Sequence, residues 1–176
     1  HFWKKYFQSE LFPILSPQIV DSRHPFPFLR NKEIYLGVLL KEKEGQSLGM
    51  IPISSQMERL QLVRRDGHTE FALTEELVLH YAALIFGKDA VQEKCLFRVT
   101  RNADIDPDGE GVEEEEDYRQ HMKRILKKRL RLQPVVLAVS GSLEKATLKT
   151  IRKALELSRR SVFTCDIPLN LGYVFG

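Results

Sequence analysis

The sequence holds two cysteines and one tryptophan in 176 residues. No stretch of it approaches the roughly 18 consecutive apolar residues of a membrane-crossing helix. Cys95 and Cys165 sit in apolar, strand-like runs without metal-ligand spacing. They read as two buried free thiols, and a disulfide between them is open but unforced. The opening run His1-Phe2-Trp3-Lys4-Lys5-Tyr6 is no signal peptide and lacks an initiator Met. The chain is therefore expected to begin inside a longer protein.

Catalytic signatures are scarce as well. His1, His24, His68, His80 and His121 have no Cys, Asp or Glu partner at metal spacing, so no metal site is expected. His80 lies four residues after Glu76, the spacing of an ordinary helix-surface pair. Val139-Ser140-Gly141-Ser142 is a strand-to-helix turn whose N–H groups could face a phosphate. It has one glycine and no following Gly-Lys-Ser/Thr, so it is not a P-loop. The G-x-S-x-G elbow and the protein-kinase signature set are also missing.

What is present suffices for one good-sized domain. The apolar fraction is 43%, and a chain of this length buries roughly 70% of its unfolded surface. Helical spacing puts Trp3, Phe7 and Leu11 on one face, read as the end of a helix (1–11) from a preceding domain. Strands are expected at 33–41, apolar on both faces and so central, at 47–53 and at 58–64 with Leu60 and Leu62 inward. Asp66-Gly67 marks a turn before a strand at 69–72. Thr74 is expected to cap a helix to residue 86, with Leu77, Tyr81, Leu84 and Ile85 inward and Gly87 as the stop. A strand at 92–101 places Cys95, Phe97 and Val99 on one side and Leu96 and Arg98 on the other. An acidic loop at 104–117 leads into an amphipathic helix to residue 130. Pro134 opens a strand at 135–139, Ser142 caps a helix to residue 157 with Leu148, Ile151 and Leu155 inward, and a strand at 161–167 precedes an irregular tail. Strands in a run followed by strands alternating with helices give an α+β fold with a mixed sheet and about three helices.

The densest signal is the block at 12–31. Pro13, Pro17, Pro25 and Pro27 interleave with Phe12, Phe26 and Phe28, ending in His24-Pro25-Phe26-Pro27-Phe28-Leu29-Arg30-Asn31. Proline lacks the N–H that helix and sheet ladders use and pushes the preceding residue towards extended backbone. The block is therefore an extended connector, seating Phe26 and Phe28, with His24 beside them, against the sheet or a neighbouring domain.

Charge totals only +3 but is unevenly distributed. Arg119, Lys123, Arg124, Lys127, Lys128, Arg129 and Arg131 crowd one helix, and Lys145, Lys149, Arg152, Lys153, Arg159 and Arg160 repeat the pattern. Such faces suit a polyanion. They also suit a solvated helix balanced by the acidic run at 113–117, where Glu115 and Arg119 are an i,i+4 pair. No stacking aromatics interleave with these cations, which argues against single-stranded nucleic acid.

Two of these blocks carry a resemblance. His24-Pro25-Phe26-Pro27-Phe28 and Phe97-Arg98-Val99-Thr100-Arg101-Asn102-Ala103-Asp104 resemble the polyphosphate kinase family, the long-chain type that builds polyphosphate from ATP. The strand with Tyr35-Leu36-Gly37-Val38, the basic helix before Pro134-Val135 and the tail Asp166-Ile167-Pro168-Leu169-Asn170-Leu171 follow in the family's order. The tail departs from the family's "GPL-x-L", with Ile167 where a Gly is common.

The resemblance implies that 32–176 is the family's middle, or head, domain, with a fold like the phosphohistidine phosphatase group. It further implies that the chain comes from a homo-oligomeric, cytoplasmic phosphotransferase, with peripheral membrane association of the parent left open. That parent passes the terminal phosphate of ATP, with Mg²⁺, to polyphosphate through a phosphohistidine. The family's catalytic histidines and magnesium-contacting arginines lie in C-terminal domains whose motifs match no position here. The fragment is therefore expected to be non-catalytic and to hold no cofactor, serving dimer contact and polyphosphate guidance. Arg98, Arg101, Lys123 and Lys127 are the candidate polyphosphate contacts, and His24, Pro25, Phe26, Pro27 and Phe28 the structural connector. The alternative is a nucleic-acid or protein interaction module built on the basic helices 118–131 and 143–160.

Overall fold

A computed structural model describes residues 2–42, 45–53, 57–65, 67–101, 119–120, 134–140 and 145–174. Strand β2, Ile34–Glu42, organises the molecule: its first seven residues are all buried, as a strand paired on both edges and covered on both faces must be. It pairs antiparallel with β3, Gly45–Ile53, and with β6, Val91–Arg101. The sheet extends beyond β3 to β1, Gln18–Val20, and beyond β6 to β7, Pro134–Ser140, then β8, Val162–Cys165. Among the described strands only the β7–β8 pairing is parallel, and the helix α3, Lys145–Ala154, makes that crossover. The mixed α+β sheet expected from the order of elements is present.

Two apolar cores flank the sheet. Ile34, Leu36, Val38 and Leu40 of β2 enter the first, with Leu96 of β6. Helix α2, Thr74–Phe86, covers it with Leu77, Val78 and Ala82. Tyr35 of β2 and Cys95, Phe97 and Val99 of β6 enter the second, covered by Ile151 and Leu155 from α3 and its end. The period-two alternation of β6 thus appears as expected. Gly37 is required where this face is tight, since a Cβ there would sit 3.0 Å from the Phe97 ring.

The N-terminal segment is an α-helix, α1, at Phe2–Tyr6, a π-turn at Phe7–Leu11 and a 3-10 turn at Phe12–Ile14. Phe7, Leu11 and Leu15 are buried in the first core, with Trp3 packed beside them. Phe7 lies against Tyr81 of α2, ring centroids 5.0 Å apart.

Several expectations are corrected. Strand β4, Leu60–Arg65, pairs only with β5, His68–Leu73, in a separate two-stranded sheet. Its inward residue is Gln61, while Leu62 is 62% exposed. The reason is polar: Gln61 accepts from the Tyr6 hydroxyl at 2.6 Å and donates to the Glu58 carbonyl and the Thr74 hydroxyl. Thr74 is the first helical residue and not the cap, a place taken by Leu73 without a side-chain bond. Its hydroxyl donates to the Glu58 carbonyl at 2.6 Å. On α2, Leu77 is buried as expected, with Tyr81 and Ile85 packed against the core, but Val78 and Ala82 are buried beside it and Leu84 is exposed. Helix α3 stops at Ala154, and β8 spans only Val162–Cys165 after a 3-10 turn at Arg159–Ser161. Both cysteines are free, Cys95 buried and Cys165 half-buried. Gly87, at φ +91°, ends α2 as expected. The acidic loop 104–117, most of the helix at 118–131, the Gly141-Ser142 turn, and Lys123 and Lys127 lie outside the described residues.

Candidate functional site

Three arginines hold the segments that meet around the end of strand β6, Arg98 and Arg59 on the tail and Arg101 on the connector. Arg98 donates through Nε to the Lys32 carbonyl at 3.0 Å and through Nη1 to the Leu169 carbonyl at 2.8 Å. Burial, and then the neighbouring Arg59 charge, lower its pKa. Arg101 donates through Nε to the Leu29 carbonyl at 3.1 Å, and its guanidinium lies over the Phe28 ring, 4.2 Å from the centroid. Its backbone N–H donates to Asn31 Oδ1 at 2.9 Å. Both arginines therefore direct donors at backbone carbonyls of the connector and the tail.

Arg59 was not singled out by sequence pattern. It forms a doubly bonded pair with Glu75, which is 1% exposed, and donates through Nη1 to the Asn170 carbonyl at 2.9 Å. Its guanidinium also lies 5.2 Å from the Tyr173 ring centroid. The one available signal was Glu75 in the first turn of a helix, where a carboxylate also meets the positive end of the dipole. Consecutive tail carbonyls, Leu169 and Asn170, are thus each held by a separate arginine.

The connector is arranged by small polar bonds. Asp21 Oδ1 accepts from the backbone N–H of Arg23 at 2.7 Å and of His24 at 2.8 Å, and meets His24 Nδ1 at 3.0 Å. The backbone donors hold its carboxyl below the usual range. His24 is exposed, beside Pro25 and Pro27. Phe26 packs against the second core, but Phe28 is 49% exposed and Leu29 takes the buried place instead. The three-residue step from Phe26 to Leu29 matches the repeat of polyproline II, which Pro25 and Pro27 favour. That period corrects the expected seating of Phe28.

Tyr35 ties the connector to the sheet. Its hydroxyl donates to Glu33 Oε2 at 2.7 Å and accepts from the Arg30 N–H at 2.9 Å. Burial, chiefly, pushes the phenol well above its ordinary pKa, so it stays protonated. Burial also pushes the Cys95 thiol up to about 12, which keeps it from acting as a nucleophile. Among the described residues no group of three or more His, Cys, Asp or Glu side chains converges to hold a metal. None of their helices is long and apolar enough to cross a membrane. What this arrangement does is position backbone: it anchors the connector and the tail to one end of β2 and β6.

The comparisons with known proteins are consistent with one another. The sequence model of the polyphosphate kinase middle domain matches residues 1–176. The polyphosphate kinase of Halalkalibacterium halodurans is 32% identical over 179 aligned residues, covering 99% of this chain and 25% of that protein. The polyphosphate kinase of an Exiguobacterium species is 33% identical, covering 99% of this chain and 24% of that protein. The crystal structure of polyphosphate kinase from Porphyromonas gingivalis superposes with a TM-score of 0.67 at 19% identity, over 93% of this chain and 22% of that one. The chain thus spans about a quarter of the length of the curated relatives it matches.

Proposed function

The chain belongs to the polyphosphate kinase family, as its middle domain, and from that premise we propose that it is a non-catalytic part of an ATP-dependent enzyme that lengthens polyphosphate. The observation that carries this is the family match along the whole chain, from residue 1 to residue 176. In this reading the terminal phosphate of ATP passes, with Mg²⁺, through a phosphohistidine on other domains of the parent. The middle domain supplies dimer contact and guides the anionic product. The proposed location of the parent is the cytoplasm, with peripheral membrane association left open. The finer fold likeness, to the phosphohistidine phosphatase group, belongs to the same reading and implies no phosphatase activity here.

Support for a positioning role comes from the tail. Arg98 and Arg59 hold the Leu169 and Asn170 carbonyls, which fixes the path of the chain where it leaves the sheet. Arg98, Arg101, Lys123 and Lys127 are the proposed contacts for polyphosphate. Arg98 and Arg101 carry planar guanidinium groups, whose fork of donors suits phosphate oxygens.

Incubation of the chain with ATP, Mg²⁺ and a polyphosphate primer is expected to give no chain growth, and growth would overturn the non-catalytic assignment. Labelled polyphosphate is expected to bind the chain, more weakly as salt rises. Arg101→Ala is expected to weaken it further while the circular dichroism spectrum is retained. Binding indifferent to both salt and Arg101→Ala would reject the guidance role.

A further inference from the structure

On the face of the second core, two strands across the sheet from β6, α3 and β8 enclose a groove of about 500 Å³. That is the size of a small-molecule pocket. Leu148 and Val162 form its floor, Lys149, Arg152 and Arg159 its rim, and Thr164 contributes a hydroxyl. Among the described residues no carboxylate lines it, and neither Lys149 nor Arg159 has an ion-pair partner. Arg152 donates through Nη1 to the Leu157 carbonyl at 2.7 Å, which anchors its guanidinium at the groove.

The helix itself is charged with one sign. Lys145, Lys149, Arg152 and Lys153 are the only charged residues of α3. Lys145, Lys149 and Lys153 follow one another at i,i+4, and each such like-charged pair weakens a helix by about 0.2–0.5 kcal/mol. Three cations converging over a low-dielectric floor raise the local potential and concentrate anions there. A bare phosphate chain would satisfy the rim and leave the apolar floor uncovered.

We propose that this groove binds a nucleoside polyphosphate, its phosphates against Lys149, Arg152 and Arg159 and its base and ribose over Leu148 and Val162. Burying the floor under the nucleoside adds apolar contact that an inorganic phosphate chain does not supply. The Thr164 hydroxyl is placed to serve the polar edge of the ligand. The site rests on side chains of α3, β8 and the turn before β8, and not on the family assignment.

Calorimetric titration of the 176-residue chain with ATP, tripolyphosphate and adenosine, without magnesium, tests this. ATP is expected to bind about tenfold more tightly than tripolyphosphate, and adenosine far more weakly than either. The double variant Lys149→Glu/Arg159→Glu, exposed and outside the cores, is expected to weaken both phosphorylated probes by more than about tenfold with the melting curve unchanged. Val162→Thr, which keeps the shape of the floor and makes it polar, is expected to weaken ATP severalfold and leave tripolyphosphate unaffected. Equal binding of tripolyphosphate and ATP would overturn the proposal, as would undetectable ATP binding to the folded chain or indifference to the charge reversal. None of these readouts involves phosphate transfer or polyphosphate growth, so their failure is separate from failure of the kinase reading.

Discussion

Glu75 lies beneath Arg59 at 1% exposure, and the Arg59 side chain retains 16%. A charge pair this desolvated is weak evidence of net stabilisation, but removal of one partner leaves the other unpaired. Glu75→Leu is expected to cost about 3 kcal/mol in urea unfolding. The double variant Arg59→Met/Glu75→Leu is expected to recover more than about 1 kcal/mol of it, since both charges are then gone. A single variant that loses under about 1 kcal/mol would show that the pair is solvated. The two thiols offer a second test at this scale. Cys95 is 1% exposed with its pKa pushed up to about 12. Cys165 is half-buried, with Sγ 3.6 Å from the Val139 carbonyl. A disulfide-exchange reagent at pH 8 is therefore expected to label Cys165 alone in the folded chain, and both thiols in denaturant. Two fast labels under native conditions would contradict the burial of Cys95.

At the scale of elements, α2 reaches the sheet because β3 carries a glycine under it. A Cβ on Gly49 would lie 2.8 Å from Phe86 Cε1 and 3.2 Å from Leu40 Cδ1. Gly49→Ala is expected to cost about 1–3 kcal/mol by forcing the last turn of α2 outward. Thermal melting checks it, and a loss below the error of the melt would mean that the Phe86 ring swings aside freely. The β4–β5 hairpin shows why strand content was legible while facing was not. Its turn was readable from Asp66-Gly67, and Gly67 has φ +79°. Its inner face was not, because alternation identifies two faces without saying which is buried. Here a polar cluster of Tyr6, Gln61, Thr74 and the Glu58 carbonyl wins the interior. The apolar cross-strand pair Leu62 and Phe71 is left outside, 62% and 68% exposed.

On the scale of the whole molecule, the sheet is a partition between two cores, and the N-terminal segment closes one of them. Phe7 is fully buried, packed on α2 through Tyr81 and joined by Leu11 and Leu15. Phe7→Ala is expected to cost about 3–5 kcal/mol in chemical denaturation. A loss within about 0.5 kcal/mol would mean that the segment is only an appendage to the sheet. The helical spacing of Trp3, Phe7 and Leu11 announced an apolar face, but a spacing cannot say which surface receives it. Arg98 and Arg101 were likewise legible as special from their block. That their donors go to the Lys32, Leu169 and Leu29 carbonyls depended on where the connector and the tail come to lie.

The sequence by itself determined the period-two strands of the central sheet, the helix ended by Gly87 and, through its motif blocks, the family. Each of these depends on local spacing or on an ordered set of residues that chance rarely reproduces. Only the tertiary structure decided that Gln61 turns inward and Leu62 outward. The same holds for Leu29 replacing Phe28 in the core and for Arg59 pairing with Glu75 sixteen positions away. It holds again for the meeting of α3 and β8 around three cations. These outcomes turn on which surfaces meet and which polar groups must be satisfied once water is excluded, and such partners are set by distance in space.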